Sequence, residues 1–213
     1  MSDPQHHNQR APGLSRRDFL RGSGAGVAAT ALAAAPAALV EEAKAKAPAP
    51  DAPAIGPAPA KVGLTVNGAK MSYSVEPRVT LLDMLRNHLD VTGCKRVCDR
   101  GSCGACTVIL DGKPVYSCTT LALEAQGREV KTAEALAGDN RLDAVPAAFV
   151  QHDAQQCGFC TPGFVVALRA ALDKNPKATP AEIEDALSGN ICRCGTYEQM
   201  RQAIAALCGK KGE

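Results

Sequence analysis

The chain has 213 residues, 46% of them hydrophobic and 22% charged, with a net charge of +2. That suffices for one or two globular domains with a real core and excludes a disordered chain. Near-neutrality without a basic stripe beyond the N-terminus gives no case for a nucleic-acid partner. An aromatic share of 3% without Trp argues against a base-stacking platform. Ten cysteines stand out, and they cluster. Cysteine chemistry must carry the function.

Ser15-Arg16-Arg17-Asp18-Phe19-Leu20-Arg21 is a twin-arginine run, followed by an uncharged Gly- and Ala-rich stretch over 22–40. A spanning helix of that length is normally richer in Leu, Ile and Phe. The pattern over 1–45 resembles a twin-arginine (Tat) export signal, with Ala-x-Ala cleavage candidates at 35–37, 43–45 and 45–47. The expected location is the periplasm, with no stable membrane span once the signal is removed. A fortuitous Arg pair and an uncleaved anchor are the alternatives. Residues 46–60 carry Pro48, Pro50, Pro53, Pro57 and Pro59 among alanines, which reads as an extended tether.

Residues 62–75 read as two strands joined at Asn67-Gly68, a dipeptide suited to a type I′ turn. A short helix over 80–89 follows, with Leu81, Leu82, Leu85 and Leu89 on one face. After a cysteine-rich loop come a strand at 107–110, the turn Asp111-Gly112, and Val115-Tyr116. Residues 61–138 therefore read as a small α+β domain. Residues 139–213 read as all-α, with helices near 146–153, 164–174, 182–187 and 198–207. Thr161-Pro162, Thr179-Pro180 and Thr196 each place a Thr at a helix N-cap. Thr179 with Glu182, and Thr196 with Gln199, fit the capping box.

Cys98, Cys103, Cys106 and Cys118 are spaced C-x4-C-x2-C-x11-C. The first three follow plant-type [2Fe–2S] spacing. Such an anionic group needs a loop that wraps closely and offers backbone N–H groups, which Gly101, Gly104 and Ala105 permit. Structural zinc more often pairs two C-x2-C knuckles. Disulfides are the other alternative in an oxidising compartment. Cys157, Cys160, Cys192 and Cys194 give C-x2-C-x31-C-x-C. Cys160 and Cys194 lie just before helix starts, an arrangement that favours an anionic group but fits zinc as well. Cys208 falls in phase with Met200, Ile204 and Leu207 and reads as a core thiol. Cys94, four residues before the first proposed ligand, reads as a spare thiol, with an alternative ligand as the other reading.

The run 93–108, Gly-Cys-Lys-Arg-Val-Cys-Asp-Arg-Gly-Ser-Cys-Gly-Ala-Cys-Thr-Val, resembles the first cluster motif of the iron–sulfur subunit of the xanthine oxidase (molybdenum hydroxylase) family. Gln156 to Gly163 and Gly189 to Tyr197 resemble the second. With the export signal, the likeness is greatest to small subunits of periplasmic aldehyde oxidoreductases. It implies a ferredoxin-like β-grasp domain followed by a four-helix domain, with one [2Fe–2S] cluster in each. Cys98, Cys103, Cys106 and Cys118 would bind the first, and Cys157, Cys160, Cys192 and Cys194 the second. The second would lie nearest the molybdopterin cofactor of a separate large subunit, with Gln156 and Cys194 beside the pterin. Electrons would leave through the first cluster, to a flavin (FAD) subunit or an external acceptor such as a cytochrome. The partner would oxidise an aldehyde or hydroxylate an N-heterocycle. Val97 and Cys94 depart from the family's usual Gly and Thr, which puts the packing of the first loop in question.

His88 and His152 read as ordinary surface or partly buried histidines, so no catalytic residue is expected on this chain. A free-standing exported ferredoxin and a zinc-binding interaction module are the competing readings.

Overall fold

The structure, a computed structural model, describes residues 56–138 and 141–209. The export signal and most of the tether lie outside the described residues. Strands β1 (Ala60–Val66) and β2 (Ala69–Val75) form an antiparallel hairpin. Asn67 and Gly68 both take positive φ, 51° and 85°, as the expected type I′ turn requires. Val62, Leu64 and Val66 alternate inward from β1.

The helix expected over 80–89 is present but changes pitch. Thr80 caps α1 (Leu81–Asp83), its Oγ1 accepting the Asp83 N–H at 3.1 Å. A π-type turn then runs over Met84–His88, closed by the Leu89 N–H on the Met84 carbonyl at 3.0 Å. Leu81, Leu82, Met84 and Leu85 are all buried.

Strands β3 (Thr107–Leu110) and β4 (Lys113–Tyr116) form the second hairpin. Strand β5 (Glu129–Lys131) was not expected. It pairs parallel to β1 and antiparallel to β3, completing the mixed order β2-β1-β5-β3-β4 of a β-grasp sheet. Only Val130 of its three residues is buried, so no alternation marks it. A two-residue pair, β6 (Ala137–Gly138) and β7 (Arg141–Leu142), also went unread.

Four helices follow: α2 (Ala144–Gln151), α3 (Thr161–Lys174), α4 (Pro180–Ala186) and α5 (Tyr197–Gly209). The Thr179–Glu182 capping box forms, with the Glu182 N–H on Thr179 Oγ1 at 3.3 Å and the Thr179 N–H on Glu182 Oε2 at 2.7 Å. Thr161 is not the cap of α3. Cys160 takes that place, because its carbonyl already accepts the Phe164 N–H at 3.2 Å. Thr161 is thus the first helical residue, and Pro162 is tolerated in the same turn. Cys208 is half-buried against the helical core, short of the buried position expected for it. Among the described residues no helix is long and apolar enough to cross a membrane.

All the described residues belong to one compact unit. One core lies under the sheet, another among the helices, and Ile109, Val166 and Ala170 join them where α3 lies along β3. Gly163 sits at the tightest point of that seam. A Cβ there would collide with the Gly104 carbonyl and stand 2.9 Å from Ala105 Cα. Both are backbone atoms and cannot step aside. Gly163→Ala is therefore expected to lower unfolding free energy by about 1–3 kcal/mol. Denaturant titration followed by circular dichroism checks this against wild type.

Candidate metal centres

The first group of cysteines sits on a loop held from several directions. Arg86 Nη1 donates to the carbonyls of Thr92 and Cys94 at 2.7 and 2.8 Å. The Glu134 carboxylate accepts the Gly93 N–H at 2.5 Å, and the Lys95 N–H reaches the Ala105 carbonyl at 3.1 Å. Cys106 and Cys118 are buried, while Cys98 and Cys103 are half-buried. Backbone donors point at the sulfurs: Gly101 N–H to Cys118 Sγ at 3.2 Å, Ser102 N–H to Cys98 Sγ at 3.3 Å. Gly104 turns the chain between Cys103 and Cys106 at φ 69°. A Cβ there would come within 2.5 Å of Asn190 Nδ2, so glycine serves both conformation and space.

The second group joins two turns. Cys157 and Cys160 precede α3, and Cys192 and Cys194 precede α5. Cys157 is exposed and Cys192 buried. Cys192 Sγ lies 3.3 Å from Thr196 Oγ1, and the Cys192 N–H donates to the Tyr197 hydroxyl at 2.8 Å. Gln156 is exposed next to Cys157. Thr161 Oγ1 is buried without a partner among the described residues. Phe159, Ile191 and Tyr197, on the same turns, are exposed large hydrophobics.

Electrostatics divides each group into thiol pairs. Desolvation opposes ionisation of Cys98. The Arg100 N–H, the Cys103 thiol and the Ser102 and Cys103 N–H groups outweigh it and bring Cys98 down to about 7. Cys118 is pushed up to about 11 by desolvation and then by the Cys106 thiol. Cys192 falls to about 7 because the Thr196 hydroxyl, the Thr196 N–H and the Cys160 thiol together overcome desolvation. Desolvation and then Cys192 raise Cys160 to about 12. Cys157 is lowered by the Phe159 N–H and then by the Cys194 thiol. For Cys194 the Cys157 N–H favours the thiolate, but the Cys157 thiol and desolvation prevail and raise it.

The influence of one thiol on another thus runs chiefly between Cys98 and Cys103, Cys106 and Cys118, Cys157 and Cys194, and Cys160 and Cys192. Among the described residues, no three Cys, His, Asp or Glu side chains converge as a site for one metal ion. Two pairs per site fit a two-iron cluster, in which each iron takes two thiolates. The N–H groups on sulfur and the orphaned Thr161 hydroxyl supply donors such an acceptor-rich group would use.

The two turns touch. The Ile191 N–H donates to the Cys103 carbonyl at 3.0 Å, Asn190 Nδ2 to the Gly104 carbonyl at 3.0 Å, and the Tyr116 hydroxyl to the Gly189 carbonyl at 3.1 Å. Asn190, Arg86 and Glu134 were not singled out from sequence. Their partners lie 86, 8 and 41 residues away, beyond any local pattern. His88 is exposed and stacks on Tyr73, with centroids 4.6 Å apart. His152 is half-buried, with Nε2 unpartnered among the described residues.

Residues 64–141 match a 2Fe-2S iron-sulfur cluster binding domain family, and residues 132–205 match a [2Fe-2S] binding domain family. Over 152 residues the chain is 43% identical to the nicotine 6-hydroxylase small subunit of Paenarthrobacter nicotinovorans, covering 71% of this chain and 92% of that one. The chain belongs to the [2Fe–2S] small-subunit family of the molybdenum hydroxylases. Within that family, the aldehyde oxidoreductase iron-sulfur-binding subunit of Escherichia coli K12 is 41% identical over 175 residues, covering 74% of this chain and 76% of that one. The structure of quinoline 2-oxidoreductase from Pseudomonas putida 86 superposes with a TM-score of 0.68 at 40% identity, over 71% of this chain and 94% of that one. Aldehyde oxidoreductase from Desulfovibrio gigas superposes at 0.67 with 36% identity, over 70% of this chain but only 17% of that one. Residues 13–33 match the twin-arginine translocation signal family, which marks the chain for export to the periplasm.

The two departures from the family motif are benign. Val97 is 55% exposed and does not take positive φ, so it neither crowds the loop nor needs glycine's conformations. Cys94 points into the β-grasp core, its thiol pushed up to about 12 by burial and then by Glu134. A raised thiol pKa keeps the proton on at every pH below it. Iodoacetamide at pH ~8 is thus expected to leave Cys94 of the native chain unmodified, with labelling rising only as pH approaches about 12. Peptide mass mapping reads this, and labelling of Cys94 at neutral pH would contradict it.

Proposed function

We propose that Cys98, Cys103, Cys106 and Cys118 hold one [2Fe–2S] cluster, that Cys157, Cys160, Cys192 and Cys194 hold the other, and that the chain relays electrons between them. It is the electron-transfer subunit of a heteromeric molybdenum hydroxylase, an oxidoreductase whose catalytic molybdenum site lies on a partner chain. Bound there, each cluster supplies one-electron chemistry. The observation that carries the relay is the 3.0 Å hydrogen bond from the Ile191 N–H to the Cys103 carbonyl. Cys103 belongs to one ligand set, and Ile191 adjoins Cys192 of the other. Residues 61–138 and 139–213 act as the two cluster-binding domains, behind a tether over 46–60.

Entry is at the helical end. Phe159 is 55% exposed, Ile191 51% and Tyr197 39%, exposed apolar side chains on the turns that carry Cys157 and Cys192, which suits a protein partner. That partner is the molybdopterin-binding large subunit, with Gln156 and Cys194 facing the pterin. Exit is at the first centre, to an FAD-binding subunit or a cytochrome. The partner's substrate is an aldehyde or an N-heterocycle. A free-standing ferredoxin has no use for the second centre or its apolar surround.

Anoxically purified chain is expected to carry iron and acid-labile sulfide for two clusters, with two distinct EPR signals after dithionite reduction. Cys106→Ser should abolish one signal and Cys160→Ser the other. Zinc in place of iron would end this reading. A large subunit should co-purify, and Phe159→Glu should release it while leaving both signals.

A chain that alone carries the export signal would take its docked partner with it. Replacing Arg16 and Arg17 with Lys is expected to strand both subunits in the cytoplasm. Cell fractionation with antibodies to each subunit tests this.

A further inference from the structure

The sulfurs of the two centres differ in what donates to them. At the first centre the closest donors are backbone N–H groups, Gly101 on Cys118 Sγ at 3.2 Å and Ser102 on Cys98 Sγ at 3.3 Å. At the second centre a side chain takes part. Thr196 Oγ1 lies 3.3 Å from Cys192 Sγ, and both residues are buried, 7% and 6% exposed. Neighbours hold both groups in place. The Thr196 carbonyl accepts the Met200 N–H at 3.1 Å, and the Cys192 N–H is bound to the Tyr197 hydroxyl at 2.8 Å. Thr196 is also β-branched, which restricts its χ1. A thiolate bound to iron has no proton to give, so the hydroxyl donates and the sulfur accepts.

We propose that Thr196 is a positioning residue that sets the reduction potential of the second cluster, raising it through the hydrogen bond to Cys192 Sγ. The inference rests on the ligand assignment under Proposed function. Reduction adds one electron to the centre and no proton, so negative charge on its sulfurs grows. A donor held in place away from bulk water stabilises the reduced state more than the oxidised one. Hydrogen bonds to the sulfurs are among the factors that set such potentials. The backbone donors of the first centre do not depend on side-chain identity. Substitution at position 196 therefore acts on one centre alone and identifies which EPR signal belongs to the helical half.

The test is an EPR-monitored redox titration of the full chain, with the subunits that accompany it. Thr196→Val is nearly isosteric and lacks the hydroxyl. One midpoint should fall by about tenfold in the reduction equilibrium constant, about 59 mV for one electron. The other should stay, and Thr196→Ser should restore the first. Both midpoints unchanged in a Thr196→Val chain with full iron content would overturn the proposal. If Thr196→Val does not load the second cluster, Thr196→Ala is titrated in its place under the same criterion. Loss of that cluster in both, with normal loading of Thr196→Ser, would make the hydroxyl a requirement for assembly rather than a determinant of potential and would overturn the proposal. Loss in Thr196→Ser as well would assign that requirement to the methyl and overturn the proposal. A wild-type chain without two [2Fe–2S] signals would sink the ligand assignment itself, a different outcome.

Discussion

The Gly104 carbonyl is the point on which the rest of the structure closes. It accepts the Thr107 N–H at 3.1 Å, the Thr107 hydroxyl at 2.6 Å and Asn190 Nδ2 at 3.0 Å, while Gly163 of α3 rests directly against it. One backbone group thus meets the start of β3, the turn before Cys192 and the first turn of α3. Glycine at 163 admits α3 to this carbonyl and glycine at 104 admits Asn190 beside it, and a buried carbonyl so surrounded must be fully hydrogen-bonded. Cys103 and Cys106 flank Gly104, so the same contact positions ligands of one centre against the turn carrying the other.

The second constraint is charge. On the proposed ligand assignment, eight thiols in two partly buried groups would become thiolates around iron, and desolvation works against that at Cys98, Cys118, Cys160 and Cys192. The compensation comes from neutral dipoles. Backbone N–H groups of Gly101, Ser102, Phe159 and Thr196, with the Thr196 hydroxyl, face the sulfurs. Two cations beside the first group are otherwise engaged, for Arg96 pairs with Asp83 and Asp99, and Arg100 Nε donates to the Cys98 carbonyl at 3.3 Å. Donors fixed by the backbone need no rearrangement when the charge of the centre changes, which suits one-electron traffic.

Much of this was legible in the chain because the relevant signals are local. The Asn67-Gly68 turn, the Thr179–Glu182 capping box, the amphipathic helices and the cysteine spacings each depend on residues a few positions apart. What went unread had no local signature. Strand β5 is three residues long with one buried side chain, and it exists because β1 and β3 each offer it an edge. Thr161 fits the N-cap pattern, yet the Cys160 carbonyl had already begun the helix.

By itself, the sequence determined the export address, the order of a small α+β half and a helical half, and the eight cysteines in two motifs, since composition, periodicity and spacing are properties of neighbouring residues; the β-grasp expectation came from the family resemblance of those motifs. Only the tertiary structure decided which thiols pair, that Cys94 faces the core, and that the two centres meet through Cys103 and Ile191. It also decided that Thr196 aims its hydroxyl at sulfur. The contact between the centres joins groups as far as 86 residues apart, as Asn190 Nδ2 on the Gly104 carbonyl at 3.0 Å does, while the Thr196–Cys192 contact spans four residues and is set by the turn into α5. No chain-local pattern encodes a contact that exists only once two separately formed cores have closed on each other.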